Sequence, residues 1–223
     1  GYSIERSIMK LFWTPASPFT RKVSIVAREL GLWEQIEIIP TVWPLDWGYA
    51  TVPFTAGLAE ANPVARIPTL VTDDGARLGD STLICQHLDG LASDGTIIPK
   101  SQGQWPMWSL YAVADGLLEA QVAMRAEMLR LPAAISQGFL DKQRDRIERC
   151  FDHIEKGVQQ LNMADDVMPN LAQITVGVAC GYQDWRDWLV DFRPDRPNIA
   201  AWYESFSRRT SMTATVPDDT PDA

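Results

Sequence analysis

The sequence predicts an α/β unit over residues 9–92, a linker at 93–104, an all-helical unit over 105–210 and a disordered tail at 211–223. Three observations predict this division. Strand-like and helix-like runs alternate only before Leu91. From Leu91 to Gln104 the apolar rhythm gives way to Ser, Asp, Gly, Pro and Lys, as in a linker. Beyond Trp105 every strong pattern repeats at helical spacing.

Leu11-Phe12-Trp13 is a short apolar run and reads as a strand. Ser17-Pro18 then opens a helix, because serine supplies the cap and proline fills the first helical position, where no donor is needed. Phe19, Val23, Val26 and Leu30 form its apolar face, with Arg21, Lys22, Arg28 and Glu29 off that face. Gly31 stops the helix, and Ile36-Glu37-Ile38-Ile39 follows as a parallel partner strand reached by a right-handed crossover. The connection from Thr41 to Asn62 is long and carries Trp43, Trp47, Tyr49 and Phe54, rings that either pack on the unit or line an apolar pocket. A strand starting around Pro68 turns at Asp73-Asp74-Gly75 and returns antiparallel through Ala76-Arg77-Leu78. Asp80 and Ser81 open the next helix, whose apolar face is Leu83, Ile84, Cys85, Leu88 and Leu91. A β-α-β segment followed by a β-β-α segment has the order of a thioredoxin-like unit.

In the second unit, Trp105 to Leu131 reads as one long helix ended by Pro132, and Phe139 to Leu161 as a second. Ile174, Val176, Val178, Ala179 and Cys180 leave almost no polar face, so the third helix is the expected buried centre, with Asn170 and Gln173 as a capping pair. Asn198 to Arg209 brings Ile199, Trp202, Tyr203 and Phe206 inward, and the acidic, proline-bearing tail from Ser211 reads as disordered.

Composition narrows the functions. A net charge of −9 disfavours nucleic acid and anionic membrane as partners. No apolar run is long enough to span a bilayer, and the first residues lack a signal-peptide core, which points to the cytoplasm. Met9 reads as a natural start, with residues 1–8 a leader or appended remnant. Three scattered cysteines and two histidines predict no disulfide framework, no metal site and no histidine-based triad.

The chemistry converges on Ser17. A hydroxyl at a helix N-terminus stands among unpaired N–H groups and the positive end of the helix dipole, a place that favours an anion and would hold a thiol as its thiolate. A serine there is most often only a cap. Three motifs together go further: Ser17-Pro18-Phe19-Thr20-Arg21-Lys22-Val23, then Asn62-Pro63 through Arg66-Ile67-Pro68-Thr69-Leu70, then Asp80-Ser81. In this order and spacing, on an α/β unit joined to helices, they resemble the glutathione S-transferase superfamily. Pro197-Asn198-Ile199-Ala200-Ala201-Trp202-Tyr203 is similar to the last core helix of its bacterial members.

The resemblance implies a glutathione S-transferase fold and a cytoplasmic, homodimeric, detoxifying transferase that uses glutathione as co-substrate, without metal. Ser17 takes the place of the family's catalytic serine or cysteine, with Thr14 the neighbour that could serve instead. Pro68 matches the cis-proline, and Ile67 the residue whose backbone pairs with the cysteinyl part of glutathione. Asp80 and Ser81 match the pair that holds the γ-glutamyl end, and Arg66 matches a basic position of varying role. A small apolar electrophile is expected between the connection carrying Trp43 and Trp47 and a helical wall offering Trp105, Trp108, Tyr111 and Asp115. The alternatives are a non-catalytic binding or regulatory relative, or a glutathione-dependent isomerase, dehalogenase or ether-cleaving enzyme. Serine at 17 argues against a mixed-disulfide reductase, since serine cannot form that intermediate.

Overall fold

The computed structural model describes residues 8–41, 55–93, 96–162 and 166–219. Strand β1 (Met9–Trp13) leads into helix α1 (Pro18–Glu29) and strand β2 (Ile36–Pro40). A short helix α2 (Leu58–Ala61), within the stretch expected to be a plain connection, precedes β3 (Thr69–Val71), β4 (Arg77–Leu78) and α3 (Ser81–Leu91). The sheet order is β2-β1-β3-β4, with β1 parallel to β2 and antiparallel to β3. Met9 lies opposite Ile36 and Leu11 opposite both Ile38 and Leu70, so Leu11 is wholly buried at the centre of the sheet.

The helical part comprises α4 (Gln104–Met128), α5 (Gln137–Lys156), α6 (Leu171–Trp185), α7 (Pro197–Phe206) and α8 (Thr210–Thr213). Helix α4 ends before the expected Leu131 because the residue before a proline is pushed out of the helical region; Leu131 is extended, and Pro132 starts a separate 3-10 turn. Every residue of α6 from Leu171 to Gln183 is buried. Its start is a capping box in which the Asn170 Oδ1 accepts from the Gln173 N–H and the Gln173 Oε1 accepts from the Asn170 N–H, both at 2.9 Å.

Two glycines let α6 be approached this closely. A Cβ at Gly177 would stand 2.4 Å from the Phe206 ring, and one at Gly181 would stand 2.5 Å from the Arg21 guanidinium. Helix α7 therefore packs closely on α6 at Gly177 and helix α1 at Gly181, and the second contact joins the α/β part to the helices.

The structure departs from the sequence pattern in two places. Arg21 and Lys22 lie off the apolar face that the spacing predicts, yet both are buried, because α3, α6 and α8 also pack on α1. The tail was read as disordered from Ser211, yet 210–213 is helical, with Ser211 and Met212 buried. Arg21 holds it there: its Nη2 donates to the Met212 carbonyl at 3.1 Å, and its Nε to the Thr215 hydroxyl at 3.3 Å. The Ser211 hydroxyl and the Arg209 guanidinium both bind the Glu29 carboxylate.

Candidate active site

Ser17 sits in extended conformation just ahead of α1, and its Oγ accepts the Thr20 N–H at 3.2 Å. Accepting leaves the hydroxyl proton available for donation, so the cap and a hydrogen bond to a ligand are compatible. Pro18 at the first helical position sets the turn.

The second wall is the turn into β3. The Ile67–Pro68 bond is cis. Asn62 clamps this turn from below: its Oδ1 accepts the Val64 N–H at 3.0 Å, and its Nδ2 donates to the Thr69 hydroxyl at 3.1 Å. That hydroxyl donates in turn to the Arg66 carbonyl at 2.6 Å. Gly79 passes so close that a Cβ there would meet Nδ2 at 2.5 Å. One buried carboxamide thus ties the 66–69 turn to the start of α3.

At that start, the Asp80 Oδ1 accepts the N–H groups of Thr82 and Leu83 at 2.8 and 3.0 Å. Among the described residues Oδ2 has no partner, and neither has the Ser81 hydroxyl. Thr14, Ser17, Arg66, Ile67, Pro68, Asp80 and Ser81 all line one cavity of about 740 Å³. Its opposite side comes from α4, through Asp115, Glu119, Val122 and Arg125 among others, and from Tyr182, Arg186 and Asp219. A cavity of this size suits a small ligand.

Residues 16–91 match the family described as "Glutathione S-transferase, N-terminal domain". The chain is 30% identical over 216 residues to the uncharacterized GST-like protein YibF of Escherichia coli (strain K12), covering 94% of this chain and 98% of that one. The chain belongs to the glutathione S-transferase superfamily. The fold agrees with a glutathione transferase family member from Pseudomonas fluorescens Pf-5, crystallised with bound glutathione, at TM-score 0.84 and 34% identity, over 94% of this chain and 99% of that chain. A second Pf-5 structure, with bound S-(propanoic acid)-glutathione, aligns at TM-score 0.82 and 33% identity over the same shares.

In this member of the superfamily, Ser17, Arg66, Ile67, Pro68, Asp80 and Ser81 come together, and Asp115 faces them across the cavity. Trp108 and Tyr111, expected in a pocket wall, are not among the residues that line that cavity. Tyr111 is buried under α1, with Trp108 edge-on against it at 5.3 Å between ring centroids. Trp105, at the start of α4, is 70% exposed. Trp43 and Trp47 lie outside the described residues.

Sequence reasoning missed Lys22. Its ammonium, fully buried, donates to the Tyr111 hydroxyl and to the Asp115 Oδ1, each at 2.7 Å. The Tyr111 hydroxyl also shares a hydrogen bond with the Thr82 hydroxyl at 2.6 Å. Burial alone would pull the Lys22 ammonium down, but Tyr111 and Asp115 outweigh it and hold it above its ordinary value. Lys22 is therefore a fixed positive charge on α1, linked to α3 and α4. A lysine followed by Tyr and Asp four residues apart on one helix face was the available signal, but its two halves lie in different units.

Burial pushes the Cys85 thiol up to about 12, and raises those of Cys150 and Cys180 as well, so none is poised as a nucleophile. Among the described residues, no cluster of His, Cys, Asp or Glu is grouped to hold a metal ion, and no helix is long and apolar enough to cross a membrane.

Proposed function

We propose that this chain is a glutathione transferase that joins the glutathione thiolate to a small electrophile. The observation that carries the reading is that Ser17, the cis Ile67–Pro68 turn and the Asp80–Ser81 helix start all face one cavity. The ligands of the two Pf-5 structures, glutathione and one of its S-conjugates, support it.

In this reading glutathione lies along Ile67 and Pro68, and its cysteinyl part pairs with the Ile67 backbone. Its γ-glutamyl ammonium meets the free Asp80 Oδ2, while the adjoining carboxylate meets the Ser81 hydroxyl and the N-terminus of α3. The sulfur points at the start of α1. There the Ser17 hydroxyl donates to it, and the N–H groups and dipole of the helix start favour the anion, so a thiol with ordinary pKa near 8.5 ionises more readily. The released proton passes to solvent. The thiolate then attacks an electrophilic carbon; a C–S bond forms and the leaving group, such as chloride, departs with its bonding pair.

The same reading places the reaction in the cytoplasm and the chain in a homodimer. Exposed Leu83 and Leu91 of α3 and Trp105 of α4 give a second copy an apolar surface. Light scattering of the purified protein measures that association.

The functional test is retention on immobilised glutathione, followed by turnover of 1-chloro-2,4-dinitrobenzene. Retention, with turnover that Ser17→Ala lowers sharply, supports a transferase. Retention without turnover, unaffected by that substitution, would make the chain a binding protein; absence of both removes the glutathione reading.

A further inference from the structure

The far wall of the cavity holds an arginine whose charge is satisfied in an unusual way. Arg186 caps the end of α6 and is only 8% exposed. Its guanidinium lies over the Trp185 ring, 3.5 Å from the centroid, and its Nε reaches the Tyr182 hydroxyl at 3.4 Å. A buried guanidinium, stripped of water, requires an anion. Among the described residues that anion is Asp219, gripped through both oxygens at 2.7 and 3.0 Å. Yet the Asp219 side chain is 55% exposed, on a segment with no regular structure after Thr213. A pair with one partner this open to water is held weakly.

A second guanidinium stands nearby. Arg125 of α4 lines the same cavity, and its charge reaches the Tyr182 hydroxyl. Among the described residues it has no acidic partner, and Glu119, six residues back on α4, makes no ion pair with it. Of the other acids facing the cavity, Asp115 is paired with Lys22, and Asp80 caps α3 through Oδ1 and offers Oδ2 to the glutathione ammonium in the proposed site.

We propose that Arg186, Arg125 and the Tyr182 hydroxyl select an electrophile that carries a carboxylate, whose place on Arg186 Asp219 keeps when no such substrate is bound. The forked contact of Arg186 with Asp219 is the geometry that any carboxylate can adopt. Val122, Ala123 and Ala126 of α4 supply the apolar floor between this wall and the thiol site. The expected apolar electrophile thereby becomes an apolar body with an anionic end. This inference rests on the proposed glutathione site.

The test compares two conjugates of equal size by calorimetry at neutral pH: S-(2-carboxyethyl)glutathione and its neutral amide, S-(2-carbamoylethyl)glutathione. Both keep the two carboxylates of glutathione itself, so only the new group differs. The carboxylate is expected to bind roughly tenfold or more tightly, the margin of a charge-assisted forked contact over a neutral one. Arg125→Gln, which breaks no ion pair, should reduce that preference several-fold, and Arg186→Gln should abolish it. Asp219→Asn, by removing the competitor, should raise it. In turnover, the ratio of rates for 4-chloro-3-nitrobenzoate and 1-chloro-2,4-dinitrobenzene should fall in the same order for the two arginine variants. Equal affinity for the two conjugates, or a preference unmoved by Arg125→Gln, overturns the proposal and leaves the glutathione site standing. Failure of both conjugates to bind overturns the glutathione site and the proposal with it.

Discussion

One oxygen serves two purposes at Ser17: as acceptor it caps α1, and as donor it faces the cavity. Ser17→Ala is expected to remove about 1 kcal/mol of stability with the cap. It should also lower kcat for conjugation by roughly one to two orders of magnitude, the scale of a lost hydrogen bond to a charged group, while the KM for glutathione changes less. Ser17→Thr should keep both properties. Thr14→Val, measured in parallel, decides whether the other hydroxyl on the cavity contributes. Lys22 shows the opposite balance of energy and function. Lys22→Met leaves Asp115 and the Tyr111 hydroxyl without their cation, and should cost about 3 kcal/mol in urea unfolding, the low end for a broken buried pair because Asp115 keeps an edge in water. Ser17, Pro68, Asp80 and Ser81 were legible because each belongs to a short motif whose chemistry is local. Lys22 was not, because a helical wheel assigns a lysine to solvent unless its partners are known, and these lie 89 and 93 residues further along.

At the scale of elements, the packing of α7 and of α1 on α6 depends on the absence of side chains at Gly177 and Gly181 respectively. Gly177→Ala forces the Phe206 ring aside and should destabilise by about 1–3 kcal/mol, as overpacking does in a filled core; the midpoint of urea unfolding measures it. The capping box of α6 was readable from Asn170 and Gln173, since both of its bonds run between residues three apart. The four main strands and most helices were readable from apolar spacing for the same local reason. Helix α8 was not. Its neighbourhood is polar and proline-bearing, and what orders it is a set of distant partners, Arg21 and Glu29 of α1. Deleting the chain after Arg209 should therefore lower the melting temperature, because the contacts of Ser211, Met212 and Thr215 with α1 leave together.

Across the whole molecule, burial has raised several acids at once. The Cys85 thiol moves from 9.0 to about 12, and the Tyr111 and Tyr203 hydroxyls from 10.0 to about 12. Between these limits the folded chain keeps protons that the unfolded chain has released, so stability falls as pH rises. The contribution is intact below pH 9 and is lost progressively towards pH 12. Each group adds at most about 1.4 kcal/mol per pH unit to that slope. Urea midpoints at intervals from pH 8 to 11 should decline, and Cys85→Ala should flatten the first part of the decline, where the tyrosines do not yet titrate. The burial of Arg21 and Lys22 carries a further consequence for biosynthesis. The nearest polar groups that hold these cations are 89 residues downstream for one and 191 for the other. A nascent chain that has delivered only its first hundred or so residues from the ribosome lacks the helices that cover this side of α1, so the surface they bury, apolar neighbours included, stands open to water. Such a half-made polypeptide must wait, open or chaperoned, for its second half, and the α/β part expressed by itself should not reach the native form.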